Sequence, residues 1–132
     1  MATIFSKIVS GEIPAHVVAE TTEFLAFLDI NPLTTGHVLV IPKKEVDYIF
    51  DMDDESYFGF TLFAKIVAGG VKKAFPCIKV GMAVIGLEVS HAHIHLIPMN
   101  NVSDMNFSKP KLNPTQEELA EAAQKIKAAL TL

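Results

Sequence analysis

Ser90-His91-Ala92-His93-Ile94-His95-Leu96-Ile97-Pro98 places three of the chain's five histidines at every second position. Side chains alternate faces along a β-strand, so the pattern predicts His91, His93 and His95 on one face, roughly 6.6–6.8 Å apart. Ala92, Ile94 and Leu96 then point the other way, into a core. A strand of this kind needs a sheet around it and a packed layer behind its apolar side. Its imidazole face needs a chemical reason, because histidine is neither a good core residue nor a common strand residue.

The remaining residues supply such a sheet. Residues 4–10 read as a short helix, stopped by Gly11 and Pro14. His16–Glu20 and Phe24–Leu28 read as strands joined through Thr21-Thr22-Glu23. Asp29 to Gly36 is rich in turn formers, and His37–Ile41 is an apolar strand ended by Pro42. The longest helical stretch starts at Asp53-Asp54-Glu55 and reaches about Phe75, with Lys72 and Lys73 suited to its C-terminal dipole. Phe60, Phe63, Ile66 and Val67 are its expected core stripe, and Gly69-Gly70 is expected to kink or shorten it. Strands follow at about Lys79–Ile85 and His91–Ile97. Asn100–Asn113 is polar and irregular, and Thr115-Gln116-Glu117-Glu118 is a capping box that opens a C-terminal helix. The expected fold is α+β: a mainly antiparallel five-stranded sheet, one long helix, and shorter N- and C-terminal helices.

Composition narrows the function. At 132 residues the chain is expected to form one domain over 1–132. The hydrophobic fraction is 50% and the mean hydropathy +0.35. No apolar run of about 18 residues is present, so no membrane span is expected. The excess apolar surface points to burial against a second copy, a homodimer. A net charge of −4 with no concentrated basic face argues against nucleic acid as a partner. The N-terminus has no secretory signal pattern, and the single cysteine, Cys77, suits a reducing compartment, so a cytoplasmic location is expected. Cys77 has no activating neighbour in sequence and is read as inert.

Three imidazoles on one strand admit three readings. As purely structural groups, each buried nitrogen would need its own partner. As metal ligands, two members of a His-x-His pair could bind zinc, copper or nickel with a third ligand such as His37 or Glu88. As a catalytic set, one ring attacks while its neighbours orient it and handle charge.

His91-Ala92-His93-Ile94-His95-Leu96-Ile97 matches the His-φ-His-φ-His-φ-φ signature of the histidine triad (HIT) family, where φ is apolar, and in this the chain resembles its Hint-like branch. Ile4 to Pro14 resembles the family's N-terminal helix and its exit. Phe27 to Pro32, followed by Gly36 to Lys44, resembles its nucleotide-binding segment. The resemblance covers most of residues 3–98 and leaves 99–132 as a C-terminal extension. It implies attack by His93 on the α-phosphorus of a purine nucleoside 5′-phosphoramidate or related nucleotide, then hydrolysis of a nucleotidyl-histidine intermediate. His91 matches the ring-orienting member, His95 the phosphate or leaving-group contact, and His37 a fourth histidine of the network. Asp29 matches the ribose-binding acid; Ile4, Phe5, Ile8, Phe27 and Ile30 match base-pocket positions. The family also implies a homodimer with joined sheets, and no cofactor.

Two departures stand out. Zinc-binding members of the branch carry Cys-x-x-Cys where this chain has Thr3 and Ser6, so no structural zinc is expected. Leu87 and Glu88 stand where polar phosphate contacts are expected, and Glu88 could instead face a cationic amine leaving group. The leading expectation is a phosphoramidase or nucleotide hydrolase. The alternatives are a nucleotide-binding regulatory module with little turnover and a metal-binding protein built on the His-x-His pairs.

Overall fold

A computed structural model describes residues 2–130. Thr3 opens the first helix, α1 (Ile4–Val9), by accepting the Ser6 amide on its hydroxyl. Strands β1 (Val17–Glu20), β2 (Phe24–Leu28) and β3 (Val38–Pro42) follow as an antiparallel meander. Helix α2 (Asp54–Ala74) is capped by the Asp53 carboxylate on the Ser56 amide. Strands β4 (Lys79–Val84) and β5 (Ile94–Met99) complete one antiparallel sheet of order β1-β2-β3-β5-β4. Helix α3 (Gln116–Ala129) begins at the expected capping box of Thr115 and Glu118. The architecture is the expected α+β.

Strand alternation divides the apolar residues between two faces. On one side, Val38, Val40, Ile94 and Leu96 pack with Phe60 and Val67 of α2 and Ile126 of α3. Ala92 joins that same core, as its parity predicts. On the other side, Leu25, Phe27, Leu39 and Ile41 pack with Phe5 of α1. The second face carries the histidines. Both faces of β2 and β3 are therefore buried.

Three expectations are corrected. Ile66 is 41% exposed and lies off the α2 stripe, which runs through Phe60, Phe63, Ala64, Val67, Gly70 and Val71. Gly69-Gly70 does not end α2, which runs on to Ala74. A Cβ on Gly70 would lie 2.5 Å from Leu130 Cδ2, so glycine there admits the end of α3 against α2. Finally, the histidine strand starts at Ile94, three residues later than its alternation suggests. The β3–β5 ladder ends at Val40–Ile94. Two residues beyond Val40 is Pro42, which has no N–H to continue it. The Ala92 amide turns instead to the Val46 carbonyl at 2.6 Å. His91 and His93 thus lie in an extended lead-in, and the uniform row breaks up into unequal environments.

Candidate active site

Proton bookkeeping distinguishes the four imidazoles. The Leu33 amide donates to His37 Nδ1 at 3.0 Å, so the neutral ring carries its proton on Nε2. That N–H donates to His95 Nδ1, also at 3.0 Å, which leaves the His95 proton on Nε2. His93 Nδ1–H donates to the His91 carbonyl at 2.8 Å, so its Nε2 holds an uncommitted lone pair. The His93 and His95 rings meet edge to face, 4.9 Å between centroids. Phe5 also packs edge to face with His93, at 4.9 Å.

All three rings are held neutral at pH 7. Burial pushes His37 down to about 3 and His95 to about 4, and burial lowers His93 as well. Neutrality suits a nucleophile, because a protonated ring has no lone pair to donate.

His91 is fully buried and supports His93 through its backbone rather than its ring. Its Nε2–H donates to the Pro42 carbonyl at 2.7 Å, and its Nδ1 accepts from the Thr3 hydroxyl at 2.9 Å. Thr3 is held in turn: its amide donates to Glu45 Oε1 at 2.9 Å, and Ser6 Oγ donates to the same oxygen at 2.8 Å. Hydrogen bonds to these donors lower the Glu45 carboxyl below its ordinary value. Thr3, Ser6 and Glu45 thus form a hydrogen-bonded brace between α1 and the lead-in. Replacing Thr3 with valine removes both the helix cap and the partner of a buried ring nitrogen. The expected loss is about 1–3 kcal/mol of unfolding free energy. Thr3→Ser keeps the hydroxyl and should restore most of it; equal losses in urea titrations of both variants would contradict the brace.

His93, His95 and His37 open onto a cleft of about 570 Å³. Asp29, Ile30 and Phe27 line it from β2 and the turn after it, and Ile4, Phe5 and Ile8 from α1. Glu88 lines it from the 85–89 loop. Phe5 and Phe27 are buried, Ile8 is half-buried, and Ile4 and Ile30 stand at the mouth, 50% and 58% exposed. Every candidate site residue except His91 therefore meets in one cavity. Asp29 Oδ1 accepts the Asn31 amide at 2.9 Å, forming a turn, while Oδ2 lies 3.7 Å from His37 Nε2. Burial raises its pKa.

The polar, largely irregular segment after Asn100 also reaches the cleft. A 3₁₀ turn at Val102–Met105 is capped by Asn101 and Asp104, and the Leu112 amide donates to the Pro32 carbonyl at 2.9 Å. Between these anchors Phe107 packs edge-on against His95, 4.8 Å between ring centroids, and Lys111 lines the cavity. No periodicity marks these two residues. The one available signal was an aromatic and a lysine within a prolonged polar stretch.

The geometry disfavours the metal alternative. Asp29, His37 and His95 bring ligand atoms within 4.8 Å of one another, but His37 Nε2 carries the proton shared with His95. An ion would have to displace that proton while the Leu33 amide still held Nδ1. Of the two His-x-His pairs, His91 with His93 is not assembled, since both His91 nitrogens are engaged by Thr3 and Pro42.

A five-stranded antiparallel sheet with His-x-His-x-His at the head of β5, opening on an apolar cleft, defines a histidine triad protein. The chain belongs to the HIT domain family, whose model matches residues 10–102. It is 32% identical over 132 residues to the adenosine 5′-monophosphoramidase hnt1 of Schizosaccharomyces pombe, covering 98% of this chain and 99% of that one. Among solved structures it is similar to a Hit-like protein from Bartonella henselae, with TM-score 0.84, 35% identity, and coverage of 97% and 96%. A Zn-bound histidine triad protein from Mycobacterium smegmatis superposes with TM-score 0.84 at 29% identity, covering 98% and 94%.

Proposed function

We propose that the protein is a nucleotide hydrolase that cleaves the bond between the α-phosphorus and the leaving group of a purine nucleoside 5′-phosphoramidate or related nucleotide. The observation that carries this reading is the free Nε2 lone pair of a neutral His93, fixed by its Nδ1–H bond to the His91 carbonyl. Nε2 attacks the α-phosphorus, an Nε2–P bond forms, and the P–N bond to the leaving amine breaks. The amine departs with a proton, for which His95 Nε2–H is the donor in reach of the cleft. Positive charge that develops on the His93 ring strengthens its bond to the His91 carbonyl, which stabilises the intermediate. Water then attacks phosphorus as the Nε2–P bond breaks, its released proton returns to His95 Nε2, AMP leaves, and His93 and His95 return to their starting neutral forms.

In this reading Asp29 accepts the ribose hydroxyls, and Phe5, Phe27, Ile4, Ile8 and Ile30 enclose the base. The similarity to a named adenosine 5′-monophosphoramidase supports the choice of substrate. Incubation with adenosine 5′-phosphoramidate should release AMP and ammonia well above the buffer rate. Tight AMP binding with no release from any phosphoramidate or anhydride would favour a binding module instead. Leu87, 89% exposed, gives that second reading its footing, since it offers a phosphate no donor.

The same reading includes a homodimer and a cytoplasmic location. Strand β4 is a sheet edge with Met82 and Val84 exposed upon it, and Phe58, Leu62 and Ile66 of α2 are exposed too. An unpaired edge beside apolar side chains is suited to a second copy. Sedimentation at micromolar concentration should report twice the chain mass; a monomer would contradict the dimer. Among the described residues no helix is long and apolar enough to cross a membrane.

A further inference from the structure

The cleft poses a charge problem. The reaction proposed above brings a phosphoryl oxyanion against His93 and His95, yet those rings and His37 are neutral at pH 7. Of the charged side chains that line the cavity, Asp29 and Glu88 are anionic and one is cationic, Lys111. Glu88 and Leu87 are both exposed on the 85–89 loop, which therefore supplies no cation. A neutral nucleophile facing an anion beside two carboxylates needs positive charge from elsewhere.

We propose that Lys111 is the phosphate-recognition residue of this cleft, delivered by the segment between Asn100 and Thr115. Its ligand is the anionic α-phosphoryl group of a nucleoside 5′-phosphate derivative, so the inference rests on the nucleotide reading. The segment is built to hold the lysine in place. The Leu112 amide is bonded to the Pro32 carbonyl, and the Phe107 ring is packed on His95. Lys111 Nζ donates to the Phe107 carbonyl at 2.6 Å and to the Lys109 carbonyl at 3.3 Å. An ammonium has three N–H donors, so one remains for a phosphoryl oxygen. The two carbonyls fix the group without cancelling its charge, which preorganises it. Its field already reaches the site: Lys111 is among the charges that depress His37 and oppose the rise of Asp29. Phe107 and Lys111 thus divide the work, one holding the phosphate-side histidine by contact and the other supplying charge.

Calorimetry with adenosine and AMP tests this without requiring turnover. The wild type should bind AMP at least about 10-fold more tightly than adenosine, the scale of one charge-assisted hydrogen bond. Added salt should erode that preference and leave adenosine binding unchanged. Lys111→Gln keeps a donor for the two carbonyls but removes the charge. It should bring AMP down to within about 2–3-fold of adenosine, abolish the salt effect and leave adenosine affinity intact. An AMP preference unchanged in Lys111→Gln overturns the inference and leaves the nucleotide reading standing. Loss of adenosine and AMP binding together would make Lys111 a structural strap and also overturn it. A wild type that binds neither compound overturns the nucleotide reading itself, and the role of Lys111 with it.

Discussion

His93→Ala should lower AMP release from adenosine 5′-phosphoramidate by about 10⁴-fold or more, the scale of losing a nucleophile rather than an orienting group. The expectation follows from the hydrogen bonds. His93 is the one imidazole of the four with an unshared Nε2 lone pair facing the cleft, because His37 and His95 share a proton and His91 is bonded at both nitrogens. AMP affinity should change little, because the apolar walls and Asp29 are untouched. His95→Asn should cost less, about 10²–10⁴-fold, as expected for a group that transfers a proton but forms no bond to phosphorus. A His93→Ala enzyme within tenfold of wild type would remove His93 from the chemistry.

Stability should fall steeply in mild acid, by about 4 kcal/mol between pH 7.5 and pH 5. Burial depresses His37 to about 3 and His95 to about 4 in the folded protein, whereas both titrate near 6.5 when unfolded. The unfolded chain therefore binds more protons below pH 6.5. The stability these rings contribute is complete above that value and is lost as pH falls toward their folded values. Each ring contributes about 2 kcal/mol to the change by pH 5. His93, lowered in the same direction, adds to the effect. Asp29 opposes it, since burial raises its pKa, but only once the pH approaches the carboxylate range. Urea titrations at the two pH values check the prediction. A midpoint independent of pH over that range would show that the rings titrate normally in the folded protein. A variant with asparagine at both His37 and His95 should have a much flatter acid limb.

Much of the fold was legible because its signals are local and redundant. The parity of Ala92, Ile94 and Leu96 assigned their face correctly, and the capping box at Thr115 located α3. Ile66 misled because helical spacing does not say how wide the buried stripe is, and the neighbours that narrow it lie in β3 and α3. Gly69-Gly70 misled because propensity takes no account of the close approach of Leu130. The start of β5 was hidden for a similar reason: alternation continues through His91, while the ladder stops at Pro42, a residue 49 positions away.

The site divides along the same line. His37, Asp29 and the apolar wall are named through resemblance, and the fold gathers them in one cavity. The brace of Thr3, Ser6 and Glu45 was not foreseen, because Thr3 and Ser6 were weighed only as absent cysteines. Phe107 and Lys111 lie beyond residues 10–102, the span of the family model, and carry no pattern of their own. Their role depends on where an irregular segment is anchored, at Pro32 and over His95. Sequence spacing cannot supply that.

Rapid mixing with adenosine 5′-phosphoramidate, quenching in base and mass spectrometry of the digested protein test the central claim most directly. The account predicts a transient mass increase of one adenylyl group on the peptide bearing His93, forming and decaying at rates that sustain steady-state AMP release. AMP release at the same rate with that peptide unmodified throughout would contradict it.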